Sequence, residues 1–377
     1  MATASSRSSA ELLASDFADH SALFRAYAAE QPDKIAIVDE DRRLSWAALD
    51  ALVERIAARL QAEGVGKGAA VAILGYNSIP YALAFLAAIR TGAAAAPLTT
   101  SATPDALTAM LKDSGARHLF VDPSIAIDVP ESVARISFDD IEAWAAPVGT
   151  RALPVEIAPE DPFNIIYSSG TTGTPKGIVQ PHQMRWNYLA RTAAYDRDSV
   201  ALLSTPLYSN TTLVAFFPVL GMGGTAVLMR KFEARRFLEL SERERVTHTM
   251  LVPVQYRRLM ALPEFDDFDL SSYRVKFCTS APFAAELKRD ILARWPGGLV
   301  EFYGMTEGGA SCILLAHQHP DKLHTVGQVA PNSEMKLIDE DGNEVAPGGE
   351  AHGVPSTGLV TRWTTLKSSP DWKPTSA

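Results

Sequence analysis

The chain has 377 residues, 47% of them apolar, enough for a sizeable core in two or three structural units. Its 35 basic and 44 acidic side chains leave a formal charge of −9, which excludes a protein built to grip a nucleic-acid backbone. Two cysteines, Cys278 and Cys312, support neither a disulfide framework nor a Cys-rich zinc site, so a reducing, cytoplasmic setting and a core role for both are expected.

Residues 1–20 begin with an Ala/Ser-rich stretch that has no continuous apolar run and so no signal-peptide core, and they read as a flexible start. Trp46, Leu49, Val53, Ile56 and Leu60 recur at helical spacing and predict a helix ending near Gly64. Strand AVAIL, a helix over Tyr81–Arg90, strand AAAAPL, a helix opened by Thr103-Pro104-Asp105 and strand HLFV follow. The Pro- and acid-rich stretch from Asp122 to Pro162 reads as a surface connection and a subdomain boundary. Beyond it come strand FNIIY, a Gly/Thr loop, a helix near 185–194, and strands VALLS, TAVLM, HTMLV, VKFCT and LVEFY. This alternation predicts an α/β fold of stacked sheet layers.

The charge-free run from Ser199 to Met229 has the length of a membrane span, but Pro206, Ser209, Asn210, Pro218 and a cluster of glycines cut it into pieces, so no transmembrane segment is predicted. EMKLIDEDGNEV reads as a hairpin turning at Asp341-Gly342. Residues 351–377 hold nine Ser or Thr and no legible helix or strand period.

Two segments carry chemistry. In the first, Ser168, Ser169, Gly170, Thr171, Thr172, Gly173, Thr174 and Lys176 form a hydroxyl-rich, flexible loop after an apolar strand. Its backbone N–H groups, hydroxyls and ammonium suit a phosphate, although Pro175 and Gly177 flank the lysine and rule out a Walker A loop. Taken alone, such a loop is also compatible with an ordinary strand-to-helix turn. In the second, Tyr303, Gly304, Met305, Thr306 and Glu307 place an aromatic face, a hydroxyl and a carboxylate at the end of a strand, where open α/β sheets bind ligands. Glu307 suits Mg²⁺ and Tyr303 suits a stacked base; the alternatives are an exposed loop carboxylate and a rim aromatic. His182 reads as a helix-start histidine satisfied locally, and Leu213, Val214, Phe216 and Phe217 as core.

Together the two segments resemble the signatures of the adenylate-forming, or AMP-binding, superfamily, which includes the acyl-CoA synthetases. Ser280, Ala281 and Pro282 resemble the family's small-residue turn, and the order of the three segments agrees. The resemblance covers roughly residues 21–350, read as one AMP-binding domain: two stacked α/β subdomains and an incomplete third β subdomain. It implies that the 168–176 loop holds the phosphates of ATP, that Ser280–Pro282, Tyr303, Gly304 and Met305 border the nucleotide, that Thr306 touches the α-phosphate, and that Glu307 holds Mg²⁺. Lys176, Thr306 and Glu307 are the implied catalytic residues, while Tyr208, Ser209, Asn210 and Thr211 border the acyl group.

The implied activity is that of an acid-thiol ligase: ATP activates a small carboxylic acid as acyl-AMP, and coenzyme A takes the acyl group. Ser209 stands where many relatives carry a histidine. After Glu350 the family's later motifs and C-terminal domain, with its catalytic lysine, have no counterpart, which implies a truncation such as a frameshift and compromised activity. Apolar surface left uncovered in that way predicts self-association into an oligomer. The alternative is a decayed or binding-only nucleotide or acyl-adenylate module, and a P-loop kinase is disfavoured by the lysine's context.

Overall fold

The computed structural model describes residues 7–40, 42–168, 176–191, 194–306, 309–331, 334–337 and 359–362, with Ser168 and Lys176 described through their backbone alone. Helices are α1 (Ser9–Leu13), α2 (His20–Glu30), α3 (Trp46–Ala62), α4 (Ile79–Arg90), α5 (Pro104–Asp113), α6 (Ile141–Trp144), α7 (His182–Arg191), α8 (Asn210–Gly221), α9 (Ala234–Arg243), α10 (Pro253–Met260) and α11 (Ala285–Arg294). Strands are β1 (Ile35–Asp39), β2 (Arg42–Ser45), β3 (Ala70–Leu74), β4 (Ala94–Leu98), β5 (His118–Val121), β6 (Ala134–Ser137), β7 (Pro162–Ser168), β8 (Lys176–Pro181) and β9 (Val200–Leu203). They continue with β10 (Thr225–Leu228), β11 (His248–Leu251), β12 (Val275–Cys278), β13 (Gly298–Met305), β14 (Gly309–Leu315), β15 (Gln328–Val329), β16 (Glu334–Leu337) and β17 (Leu359–Arg362).

The strands build two large, mostly parallel sheets. One has the order β6-β5-β3-β4-β7-β8; the other has the order β15-β14-β13-β12-β11-β9-β10-β1-β2. A single core cluster holds side chains from both sheets, among them Val71 and Ile73 from one and Ala201, Leu203, Ala226 and Leu228 from the other, together with α4 and α8. These two helices therefore form the middle layer. That position explains their composition: α4 buries every residue except Pro80, and α8 buries nine residues, because a helix covered on both sides has no polar face. It also explains the charge-free run, which is β9, α8 and β10 in succession. Among the described residues no helix is long and apolar enough to cross a membrane.

Outer layers complete the stack. Helix α5 covers the first sheet through Leu107, Met110 and Leu111. Helices α9, α10 and α11 cover the second through Phe237, Leu240, Tyr256, Leu259 and Ile291, packed around Trp295. The order of layers is αβαβα. Cys278 and Cys312 are buried free thiols, as expected of core residues.

Several expectations need correction. The stretch 122–162 is not only a surface connection: β6 extends the first sheet beside β5, and α6 packs Trp144 edge-on against Phe120 with ring centres 5.4 Å apart. It is not a subdomain boundary either, since β7 and β8 beyond it join the same sheet as β3 and β4. Conversely β1 and β2, from the chain's first fifty residues, join the second sheet beside β10. Hydrophobic pattern reports that a strand is buried and not which sheet receives it, because the pairing partner is remote in sequence.

Strand β8 was not expected, and it puts α7 at His182–Arg191 instead of 185–194. Within the stretch read as a flexible start, α1 is capped by Ser8 and Glu11 and tied to α2 by hydrogen bonds from Ser9 to Glu30. The tail also contains a strand: β17 pairs antiparallel with β16, while the expected turn at Asp341-Gly342 lies outside the described residues.

Candidate active site

Strands β7 and β8 form an antiparallel hairpin with Ser168 opposite Lys176, so the two ends of the Gly/Thr loop are held side by side. Ser169, Gly170, Thr171, Thr172, Gly173 and Thr174 lie outside the described residues. The hairpin's base is fixed from below. The Tyr167 hydroxyl bonds to the Met110 carbonyl at 3.0 Å and to Asp113 Oδ2 at 2.9 Å, and burial together with Asp113 raises its pKa. Gly177 sits in the same corner, where an added Cβ would come within 2.9 Å of Ile165 Cγ2 and 3.1 Å of Asp113 Oδ2. Only a residue without a side chain lets the strand lie this close to α5.

Strand β13 carries the second segment. Tyr303 is 40% exposed and faces Cys312 across the β13–β14 ladder, and the register slips at Tyr303/Gly304 before the turn at Thr306. Such a bulge re-aims side chains at the end of a strand. Below it Glu301 is buried and paired with the buried Lys288, whose Nζ also donates to the Leu323 and Thr325 carbonyls at 2.8 and 3.1 Å. Burial raises the Glu301 pKa against the lowering effect of Lys288. Glu307, the expected metal ligand, lies outside the described residues, and only the backbone of Met305 is described. Among the described residues no three His, Cys, Asp or Glu side chains gather into a metal cluster.

The hairpin and the β13 turn belong to different sheets, yet they touch. Gln180 of β8 donates from Nε2 to the Thr306 carbonyl at 2.7 Å. Oε1 of the same amide accepts from Arg185 Nη2 and from Asn164 Nδ2, the latter at 3.1 Å. Neither Gln180 nor Arg185 was expected from the sequence. Their residue types suggest surface, and burial is what marks them.

Ser280, Ala281 and Pro282 follow β12, the neighbour of β13, so this turn and Tyr303 lie at the carboxyl ends of adjacent parallel strands. Ser280 has φ 78°, a left-handed conformation uncommon for residues other than glycine. Its Oγ lies 2.7 Å from Thr211 Oγ1, which joins the turn to the start of α8. Ser209 is the N-cap of that helix, accepting from Thr211 N at 3.3 Å, with Tyr208 immediately before it and Asn210 as first residue. The expected acyl-side residues Tyr208–Thr211 thus lie beside Ser280–Pro282.

The loop before α8 is held by a residue that the sequence did not point to. Asn77, buried in the turn after β3, donates to the carbonyls of Leu203, Thr205 and Met229 and accepts from Leu207 N at 2.8 Å. Leu213, Phe216 and Phe217 are core, and Val214 packs against that core, as expected. His182 departs from expectation. It is buried edge-on against Phe163, ring centres 4.9 Å apart, and neither ring nitrogen has a partner among the described residues. Burial pushes its pKa down to about 4.

Comparison with known proteins agrees with this architecture. The sequence profile of the AMP-binding enzyme family matches residues 24–354, and the chain belongs to that family. An indoleacetate–CoA ligase from Aromatoleum aromaticum is 33% identical over 85% of this chain and 67% of its own length. A feruloyl-CoA synthase from an Amycolatopsis species is 33% identical over 84% of this chain and 65% of its own, and 4-coumarate–CoA ligase 5 of rice is 30% identical over 83% and 63%. The chain thus spans about two thirds of the length of these curated relatives. Among solved structures, the N-terminal domain of FACL13 from Mycobacterium tuberculosis superposes with a TM-score of 0.78 at 25% identity, covering 87% of each chain. An o-succinylbenzoate CoA synthetase from Bacillus subtilis shares the fold, with a TM-score of 0.74 at 24% identity over 88% of this chain and 68% of its own.

Proposed function

We propose that this chain provides the nucleotide- and acid-binding part of an acid–CoA ligase. The observation that supports the reading is the contact of Gln180, in the strand that leads out of the phosphate-suited loop, with the carbonyl of Thr306, which joins that strand to the turn at the end of the Tyr303 strand. In this reading Ser168–Thr174 and Lys176 hold the phosphates, and Tyr303 offers its exposed face to the base. The Thr306 hydroxyl meets the α-phosphate, and Ser280–Pro282 close the side of the nucleotide toward the acid.

The substrate acid lies between α8 and the Ser280 turn, bordered by Tyr208, Ser209, Asn210 and Thr211. Because relatives at 30–33% identity are named for indoleacetate, coumarate and ferulate, we assign the substrate to the aryl-substituted carboxylic acids. A carboxylate oxygen attacks the α-phosphorus, the bond to the bridging oxygen breaks, and pyrophosphate leaves with its electron pair. The sulfur of coenzyme A then attacks the acyl carbon, AMP departs, and the thiol proton passes to solvent.

Two anions must meet in the first step, so the protein's task is to offset their repulsion with Lys176 and loop donors fixed in advance. Mg²⁺, when bound, would supply further neutralisation, held by Glu307 and nucleotide phosphate oxygens. The test is acid-dependent ATP–pyrophosphate exchange over aryl, short-chain and long-chain acids, with Lys176→Ala as control. Exchange with aryl acids that is lost in the variant supports the reading. A folded protein that binds ATP but exchanges with no acid overturns it in favour of a binding module.

A further inference from the structure

Arg185 is 1% exposed and has no carboxylate partner among the described residues. Its Nε and Nη2 donate to Asn164 Oδ1 at 3.1 and 3.0 Å, Nη2 also donates to Gln180 Oε1, and the Phe163 ring lies 6.0 Å from the guanidinium carbon. A buried guanidinium bonded only to neutral amides, with Nη1 left without a partner among the described residues, is a costly arrangement, since a carboxylate would neutralise it outright. Burial lowers its pKa to about 10, so it stays charged near neutral pH.

The cost has a structural return. Arginine can only donate, so the oxygen end of the Gln180 amide must face it and the NH₂ end must face away. That outward end is the one that reaches the Thr306 carbonyl at 2.7 Å. Asn164 and Gln180 lie opposite each other in the β7–β8 ladder, four residues from Ser168 and Lys176 respectively, so the same contact grips both strands that carry the loop. A glutamate at position 180 would pair with Arg185 better and yet present no proton to Thr306. Glutamine is therefore the residue that converts a buried cation into an oriented link between the two sheets.

We propose that Arg185, Asn164 and Gln180 form a buried positioning relay that sets the Thr306 turn relative to the phosphate-loop hairpin. The inference rests on the functional reading above for its catalytic consequence, but its structural part stands alone. None of the three residues touches the reacting atoms; they act through Thr306.

The test compares Gln180→Glu, Gln180→Met and Arg185→Met with the unaltered 377-residue chain. Hydrogen exchange of the segment 299–306, measured without ligand, should quicken about tenfold in all three, the loss expected for one hydrogen bond. Thermal unfolding should separate them, with Gln180→Glu matching or exceeding the parent and Arg185→Met falling below it. In ATP–pyrophosphate exchange, kcat should fall about tenfold in Gln180→Glu with KM for ATP within about twofold of the parent. Loss of activity in step with loss of stability across the series would assign these residues a merely structural role. Unchanged hydrogen exchange in Gln180→Glu and Gln180→Met would overturn the relay. If the parent itself exchanges no pyrophosphate, the ligase reading fails, and hydrogen exchange with thermal unfolding still decides the relay.

Discussion

Ser280 and Thr211 share a hydroxyl–hydroxyl hydrogen bond of 2.7 Å, and through it the turn after β12 is fastened to the first turn of α8. The bond is made by a residue whose backbone is strained, with φ 78° at a position that glycine would occupy freely. Holding a serine there is worthwhile only if its hydroxyl does something glycine cannot. Ser280→Ala keeps the strain and removes the bond, so it should lose about 1 kcal/mol of stability. Ser280→Gly removes both and should match the parent within about 0.5 kcal/mol, because the relief of strain offsets the lost bond. Urea unfolding of the two variants measures the difference.

Asn77 makes a larger contribution, because one buried amide serves three carbonyls and one N–H of the loops leading to α8 and after β10. Replacing it by Leu removes that partner from the Thr205 and Met229 carbonyls and the Leu207 N–H, while the Leu203 carbonyl keeps its bond from Met229 N. A loss of roughly 2–4 kcal/mol follows, again by urea unfolding, with weaker acid binding because the Ser204–Tyr208 loop is released.

Gly177 packs where a Cβ meets Ile165 and Asp113 at 2.9 and 3.1 Å. Gly177→Ala should push the hairpin away from α5 at a cost of about 1–3 kcal/mol. ATP affinity, measured by calorimetry, should fall with it. Lys176→Ala should separate the two effects, weakening ATP about tenfold with stability unchanged, since it would remove only a charge-assisted contact.

His182 and His20, both buried, contribute to the response to acid. Burial holds His182 down at about 4 and His20 well below the usual imidazole range, so the folded protein keeps both neutral while the unfolded chain protonates them near 6.5. The unfolded state therefore binds more protons between these values. Stability is fully present above about pH 6.5 and falls as the pH drops toward 4, with His182 accounting for roughly 2–3 kcal/mol. Unfolding measured at pH 7 and pH 5 should show the loss, and His182→Leu should reduce it.

The sequence by itself determined the α/β class and most of the parallel strands, and it singled out the two segments proposed to carry chemistry. These are local properties: apolar runs of strand length, helical periodicity, and loops whose residue types suit an anion. Even the middle layer was foreshadowed, since the charge-free run from Ser199 to Met229 is β9, α8 and β10, buried between the sheets. What only the tertiary structure decided is how remote pieces meet. Strand β7 pairs with β4, and β1 with β10, across long stretches of chain, and no local pattern encodes those partners. The same holds for the polar residues that fasten the site. Asn77, Gln180 and Arg185 are of types that ordinarily face water; Asn77 and Gln180 meet partners from remote parts of the chain, and Arg185 meets Gln180 and the neighbouring strand's Asn164. A hydrogen bond between residues as far apart as Gln180 and Thr306 has no signature in either neighbourhood. It exists because the fold brings a donor and an acceptor together where water cannot replace either.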